Sequence, residues 1–293
     1  MEHHEAQSAI KVSAVGMAIN LGLFLFKGIM GICIHSVSLI SDAVHSLSDI
    51  ISTLIVLVGI RISSRPADSG HPYGHEKIEC VFALFLGLML VVIGGGIGWE
   101  GLDKLFRPVA REIPPLWCAG ALGSAALSIA AKEWMYRITI RCARKIGSSS
   151  LAADAWHHRA DAFSSVGSLL GVCGLWFGLP VVDGAACLGI SVLILKAGLD
   201  ICMDACRRMV DAAAPKEIVE CVRQIAQDNR EVLNVDALLT RQFGSRIYVD
   251  MEITLDRTVS FEHAHQVAHA LHDQIEGDLS CVKHCMIHVN PSA

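Results

Sequence analysis

Long apolar segments fill the first two hundred residues of the chain and restrict the folds open to it. Six segments can be drawn, each near the ~20 residues that a helix needs to cross a bilayer. They are residues 11–33, 38–62, 79–101, 114–136, 151–177 and 180–203. The sequence therefore predicts an all-α, six-helix transmembrane bundle over residues 1–210, and so an integral, multi-pass membrane protein embedded in a lipid bilayer.

Composition changes after this region. The whole chain is 53% hydrophobic and only 18% charged, whereas soluble domains carry about a quarter charged residues. Residues 211–293 are ordinary in composition, so a soluble domain should follow the membrane domain. No basic stripe with interleaved aromatics suggests a nucleic-acid partner. The 11 cysteines contain no C-x-x-C pair and suggest no disulfide framework.

The residue patterns of the predicted soluble domain indicate the order of its helices and strands. Residues 215–229 have the apolar period of an amphipathic helix, and residues 246–255 alternate as a strand does. Strands at 235–243 and 282–289 and a helix at 261–276 complete the pattern. The order α-β-β-α-β predicts a small α+β domain, ferredoxin- or metallochaperone-like, with its helices on one sheet face.

Lys and Arg are distributed unequally between the connections of the bundle. One side carries ten and the other only Lys104, Arg107 and Arg111. The ten are Lys11, Arg61, Arg65, Lys77, Arg137, Arg141, Arg144, Lys145, Arg207 and Arg208. Since positive charge marks the cytoplasmic side, both termini are expected there.

The spacing H-x-x-x-D occurs twice inside apolar segments, as His45/Asp49 and as His157/Asp161. Residues four apart share a face of a helix. Two such helices would offer two imidazoles and two carboxylates to one ion, enough for a closed tetrahedral site. Those ligands suit Zn²⁺, with Fe²⁺, Co²⁺ and Mn²⁺ as competitors. The alternative is a set of polar residues that form hydrogen bonds between helices.

Other polar and small residues of the apolar segments have different predicted roles. Asp42 lies on the face of His45 and Asp49, and we interpret it as a partner that orients an imidazole rather than as a ligand. His158 and Arg159 are expected at the cytoplasmic rim. Glycines such as Gly94 and Gly98 permit close helix packing, within one bundle or between two protomers.

Three stretches resemble the cation diffusion facilitator family: residues 35–49, the loop 65–77 and residues 153–161. The resemblance covers nearly the whole chain. It implies a homodimeric metal/proton antiporter, not an enzyme, that exports Zn²⁺ or a related ion such as Fe²⁺, Co²⁺ or Cd²⁺ by alternating access. No organic cofactor is implied. The transport residues fall on His45, Asp49, His157 and Asp161.

The resemblance leaves alternatives for the transported metal and for the membrane in which the protein lies. Some bacterial members have Asp at the first position of the second-segment motif, so His45 makes this site similar to the zinc-preferring branch. Magnetosome iron transporters are also similar, so iron as substrate and a magnetosome membrane stand beside zinc and a bacterial inner (plasma) membrane. A non-transporting metal sensor or scaffold of the same fold is a further alternative.

Two secondary sites are predicted outside the apolar segments. In the loop, Asp68, His71 and His75 offer three ligands and leave a position open, as a weak exchanging metal site would; a solvated, helix-capping loop is the alternative. The resemblance implies a peripheral zinc site here. It also implies that Lys77 and Asp211 form a charge pair between the two domains.

The resemblance also implies a metal-sensing dimerisation site in the soluble domain, at Asp236, Asp250, His265 and His288. Asn290 replaces a carboxylate there, which favours one weaker site at Asp250, His265 and His288 over a two-metal cluster. His265, His269 and His272 form a stripe along one helix, which we interpret as an exposed polar face. Cys281, His284, Cys285 and His288 form a further group with softer ligands.

Overall fold

The computed structural model describes the backbone of residues 2–33, 37–107, 115–176 and 181–293. Within these ranges some side chains, including those of Asp42 and His45, lie outside the described residues. The chain divides into two compact units, residues 1–205 and 206–293, which are described separately. The cysteines that the structure describes are free thiols.

The first unit is a bundle of long helices, one for each predicted apolar segment. They are α1 (Glu2–Cys33), α2 (Val37–Ser63), α3 (Ile78–Phe106), α4 (Pro115–Ile146), α5 (Ser149–Trp176) and α6 (Val181–Met209, which runs past the unit boundary). Among the described residues, three stretches are long and apolar enough to cross a membrane: Gln7–Phe26, Ile78–Phe106 and Gly184–Met209. In α4 and α5, charged residues such as Lys132 and Asp161 lower the hydropathy. A six-span crossing therefore stays a prediction.

Small residues bring α3 and α6 close together. A Cβ added at Gly94 would lie 3.1 Å from the backbone nitrogen of Leu195, and one at Gly101 would lie 3.1 Å from the carbonyl oxygen of Gly184. Ser191 on α6 donates a hydrogen bond to the carbonyl of Gly94 at 2.7 Å. Gly94 therefore serves packing inside one bundle, the first of the two interpretations given above.

The second unit contains α7 (Lys216–Asp228), β1 (Asn234–Phe243), β2 (Arg246–Leu255), α8 (Phe261–Asp278) and β3 (Val282–Pro291). The predicted order α-β-β-α-β is confirmed. The sheet has the order β1-β2-β3; β2 pairs antiparallel with β1 and parallel with β3. Both β1 and β3 are consequently edge strands.

The alternation of buried and exposed residues along β2 shows on which face of the sheet the core of this unit lies. Met251 and Ile253 are buried with Leu271 of α8 and Val222 of α7, so both helices cover one face of the sheet. Asp250 and Glu252 point to the other face and are exposed. Ser260 directly precedes α8 and caps it: its hydroxyl accepts a hydrogen bond from the His263 N–H.

Candidate metal centre

A buried cluster of charged side chains joins α2, α4 and α5. It consists of Asp49 on α2, Lys132 on α4, and His157 and Asp161 on α5. All four side chains are at most 8% exposed. Helices α4 and α5 run side by side, and α2 packs against α5, so the four residues meet inside the bundle rather than at its surface.

The structure brings together three of the four predicted transport ligands. One ligand atom from each of Asp49, His157 and Asp161 lies within 4.8 Å of the others. The His157 Nε2 is 3.3 Å from the Asp49 Oδ1. Residues 157 and 161 share a face of α5 because they are four apart. The side chain of His45, the fourth predicted ligand, lies outside the described residues, although its backbone is helical one turn before Asp49.

Sequence reasoning missed Lys132. Its Nζ donates to the Asp161 Oδ2 at 2.9 Å and also to the Asp49 Oδ2. The ammonium group thus bridges the two carboxylates and compensates part of their charge. The sequence did contain a sign that Lys132 belongs to the buried cluster. This residue lies within the predicted segment 114–136, where a charge is as costly as that of Asp49.

The predicted position of His158 was wrong, because this residue is buried instead of lying at the rim. His158 directly follows His157 in α5, so its side chain points to a different side of the helix. There its Nε2 is 3.6 Å from the Asp154 Oδ2. Asp154 also accepts a hydrogen bond from Thr53 at 3.2 Å. Arg159 is partly exposed and lies over the Tyr136 ring, 4.3 Å from its centroid. The polar interior therefore has a second layer that holds α2 to α5.

Two family models match the chain, and together they cover nearly all of it. Residues 13–210 match the cation efflux transmembrane domain, and residues 214–292 match the cytoplasmic domain of cation efflux proteins, a dimerisation domain. The chain belongs to the cation efflux, or cation diffusion facilitator, family. Proteins of this family are membrane transporters of metal cations and not enzymes.

Three relatives of this cation diffusion facilitator protein match over almost their full length. An uncharacterized transporter of Methanocaldococcus jannaschii is 34% identical over 286 residues, 98% of each chain. Magnetosome protein MamB of Magnetospira sp. (strain QH-2) is 28% identical, with 93% of this chain and 92% of that one covered. The manganese efflux system protein MneP of Bacillus subtilis is 27% identical over 99% of each chain.

The loop between α2 and α3 brings its three predicted ligands together. The His71 Nδ1 lies 3.3 Å from the Asp68 Oδ1, and the His75 Nε2 lies 3.4 Å from the Asp68 Oδ2. The backbone N–H of His71 donates to Asp68, as does that of Gly70, and these bonds hold the pKa of this carboxyl below its usual range. Asp68 is therefore ionised and fixed between two imidazoles.

The predicted site in the cytoplasmic unit is not assembled in the same way. Among the described residues of one chain, no three of Asp236, Asp250, His265 and His288 have ligand atoms within 4.8 Å of one another. Asp236 accepts hydrogen bonds from Asn290, Thr254 and Asn234, which lower its pKa. A metal site at Asp250, His265 and His288 stays a prediction.

The proposed charge pair joins residues of different units. Lys77 directly precedes α3 in the first unit. Asp211 belongs to the second unit and follows α6 in the left-handed region, with φ 59°. The pairing of Lys77 with Asp211 stays a prediction.

Proposed function

We propose that this protein is a divalent metal cation/proton antiporter that exports Zn²⁺, or the related ions Fe²⁺, Co²⁺ or Cd²⁺, from the cytoplasm by alternating access. One observation carries the proposal: two carboxylates and an imidazole converge at a buried position inside a helical bundle, where Lys132 offsets only part of their charge. Buried ionisable groups in membrane helices mark ion pathways. Mixed nitrogen and oxygen ligands suit zinc and its neighbours in the first transition row. His45 is the fourth ligand in this proposal.

Lys132 has a defined part in the proposed cycle. Its ammonium group holds one oxygen of each carboxylate, and a metal ion that uses those oxygens must displace it. The lysine is thus an internal cation that exchanges places with the transported ion. Such an exchange keeps Asp49 and Asp161 paired with positive charge throughout, which matters because an unpaired buried charge is costly.

Proton coupling follows from the chemistry of the ligands. Imidazole and carboxylate bind metal only when deprotonated, so protons and metal compete for one site. Release toward an acidic outer side is then favoured. We expect an inwardly directed proton gradient to drive metal efflux and its collapse to slow efflux severalfold.

Reconstituted vesicles test this proposal. Zn²⁺ flux would be measured in proteoliposomes with an imposed pH gradient, with and without a protonophore. Flux that is indifferent to the gradient would remove the antiport proposal while leaving metal transport intact. Binding of Zn²⁺ with no flux under any condition would favour the non-transporting sensor or scaffold.

Similarity to a magnetosome protein supports the iron alternative, and similarity to a manganese efflux protein makes manganese a necessary comparison. Competition flux with Zn²⁺, Fe²⁺, Co²⁺, Cd²⁺ and Mn²⁺ decides among them. A clear preference for Fe²⁺ would favour a magnetosome-type iron transporter.

The proposed arrangement in the membrane has six spans and both termini in the cytoplasm of a bacterial cell, at the inner membrane. The excess of Lys and Arg on one side supports this orientation. A magnetosome membrane is the alternative. The cytoplasmic domain would join two chains into a homodimer, and metal bound there would alter transport, a coupling that is reciprocal by linkage.

The loop residues Asp68, His71 and His75 are proposed as a weak peripheral metal site. Two imidazole nitrogens within 3.4 Å of one ionised carboxylate support it. Asp68→Asn should weaken Zn²⁺ binding at this site by roughly 10-fold or more, since even outer partners of ligands contribute 10–100-fold. Equilibrium dialysis of the purified chain measures this. Asp103→Asn is the matched control, because Asp103 is an exposed carboxylate of α3 outside any cluster; equal weakening in both variants would contradict the proposal.

A further inference from the structure

A third group of candidate ligands lies in the cytoplasmic unit, where the second half of α8 runs beside β3. His272 and Glu276 are four residues apart on α8, and His284 lies on β3. Their side chains are 28%, 29% and 47% exposed, so solvent reaches them without surrounding them. β3 is an edge strand, and His272 and Glu276 bond to the backbone of Cys285 in that strand, so the group lies at its unpaired edge.

The three side chains have the spacing of metal ligands. The His272 Nε2 is 3.3 Å and the His284 Nδ1 is 3.2 Å from the same oxygen, Oε1 of Glu276. All three ligand atoms lie within 4.8 Å of one another. Ligands 2.0–2.1 Å from a tetrahedral zinc ion lie about 3.3 Å apart. Two of the three separations already have this length.

The hydrogen bonds of the group orient the side chains of His272 and Glu276 toward one another. The His272 Nδ1 is 2.6 Å from the carbonyl oxygen of Cys285 and must donate its proton there. The second nitrogen of the ring, Nε2, then faces a carboxylate oxygen of Glu276 at 3.3 Å. That oxygen also accepts the Cys285 N–H at 2.9 Å. A carbonyl partner that fixes the tautomer and aims the second nitrogen is typical of metal-bound histidine.

We propose that His272, Glu276 and His284 form a binding site for a divalent cation of the zinc class, separate from the transport cluster and from the loop. The thiol of Cys285 takes no part, because its side chain is buried in the apolar core of this unit. The donors are thus two nitrogens and one oxygen, with a further position open to water. This set selects Zn²⁺, Co²⁺ or Ni²⁺ over the soft Cu⁺.

A bound ion would fasten α8 to the free edge of β3. Helix and strand are already linked there by hydrogen bonds from His272 to the Cys285 carbonyl and from the Cys285 N–H to Glu276. Because the ion binds only the folded arrangement, it stabilises that arrangement in proportion to its concentration. The cytoplasmic unit would in this way respond to metal within a single chain.

The decisive experiment compares two histidines of the same helix. His272→Gln removes the metal-binding nitrogen but retains an N–H donor for the Cys285 carbonyl. His269→Gln removes an imidazole that pairs instead with Asp273, at 3.0 Å. Zn²⁺ bound per chain would be measured by equilibrium dialysis on the full-length protein, with Asp161→Asn in every sample so that the transport cluster is altered equally in all.

We expect His272→Gln and His284→Gln each to weaken binding at one site per chain by at least about 10-fold, and His269→Gln to change nothing. Co²⁺ should give stronger visible absorption bands with the His269→Gln protein than with the His272→Gln protein, in which only the other sites can contribute. Unchanged binding in both ligand variants, or equal loss in the His269→Gln control, would overturn the proposal and leave an edge-capping hydrogen-bond group. Circular dichroism verifies the fold, and His284→Gln, at a partly exposed strand position, serves if His272→Gln does not fold.

Discussion

Replacing Asp161 with asparagine should reduce metal flux in proteoliposomes by about 100-fold or more. Asparagine keeps the shape of the side chain but removes its charge and its strength as a ligand. Asp161 contributes one of the three described ligand atoms of the cluster and holds Lys132 at 2.9 Å. Loss of a direct ligand should exceed the 10–100-fold effect of losing an outer partner. The measurement is initial Zn²⁺ flux at equal amounts of reconstituted protein.

Asp154→Asn is the matched control for this prediction. Asp154 is a buried carboxylate on the same helix, and its described partners are His158 and Thr53. We expect this variant to keep most of the flux. If both variants lose flux equally, general damage to the interior of α5 explains the result and the ligand assignment fails. If Asp161→Asn transports normally, the proposed transport site is wrong.

The sequence could predict that Asp49, His157 and Asp161 lie close together, because the signals in it are local. A carboxylate in an apolar segment is conspicuous, and H-x-x-x-D places two ligands on one helix face whatever the tertiary structure. The alternation of β2 and the apolar stripe of α7 are equally local, and the order of elements in the cytoplasmic unit followed from them.

Contacts between side chains of different helices or strands were harder to predict. That Lys132 reaches Asp49, 83 residues away in sequence, depends on how α4 and α2 each pack against α5. His158 was misplaced because the rotation of α5 about its axis is set by neighbouring helices rather than by its own residues. The group at His272, Glu276 and His284 joins a helix to a strand, and its ligands do not lie in one motif. Each failure concerns contacts between elements, for which helical or strand periodicity holds no information.

Replacing Lys132 with methionine should make the protein depend on metal for its stability. Methionine fills a similar volume but leaves Asp49 and Asp161 without their buried cation. Removing one partner of a buried ion pair costs about 3–5 kcal/mol, so the thermal unfolding temperature measured without added metal should fall clearly. Added Zn²⁺ should then raise that temperature more in Lys132→Met than in the unchanged protein, because the ion no longer has to displace an ammonium group.

Transport by Lys132→Met should slow at least about 10-fold. The loss of the ammonium group raises metal affinity and, for the same reason, hinders release of the ion. In the proposed cycle the ammonium group returns to the two carboxylates as the ion leaves, and without it the ion leaves two unpaired buried charges behind. Lys132→Arg keeps the positive charge and should retain more flux and a smaller metal-dependent shift. Equal stability, equal metal response and equal flux in Lys132→Met and the unchanged protein would show that Lys132 only fills space between α2 and α5. Tighter binding combined with slower release is the pattern that distinguishes an exchanging internal cation from a purely structural one.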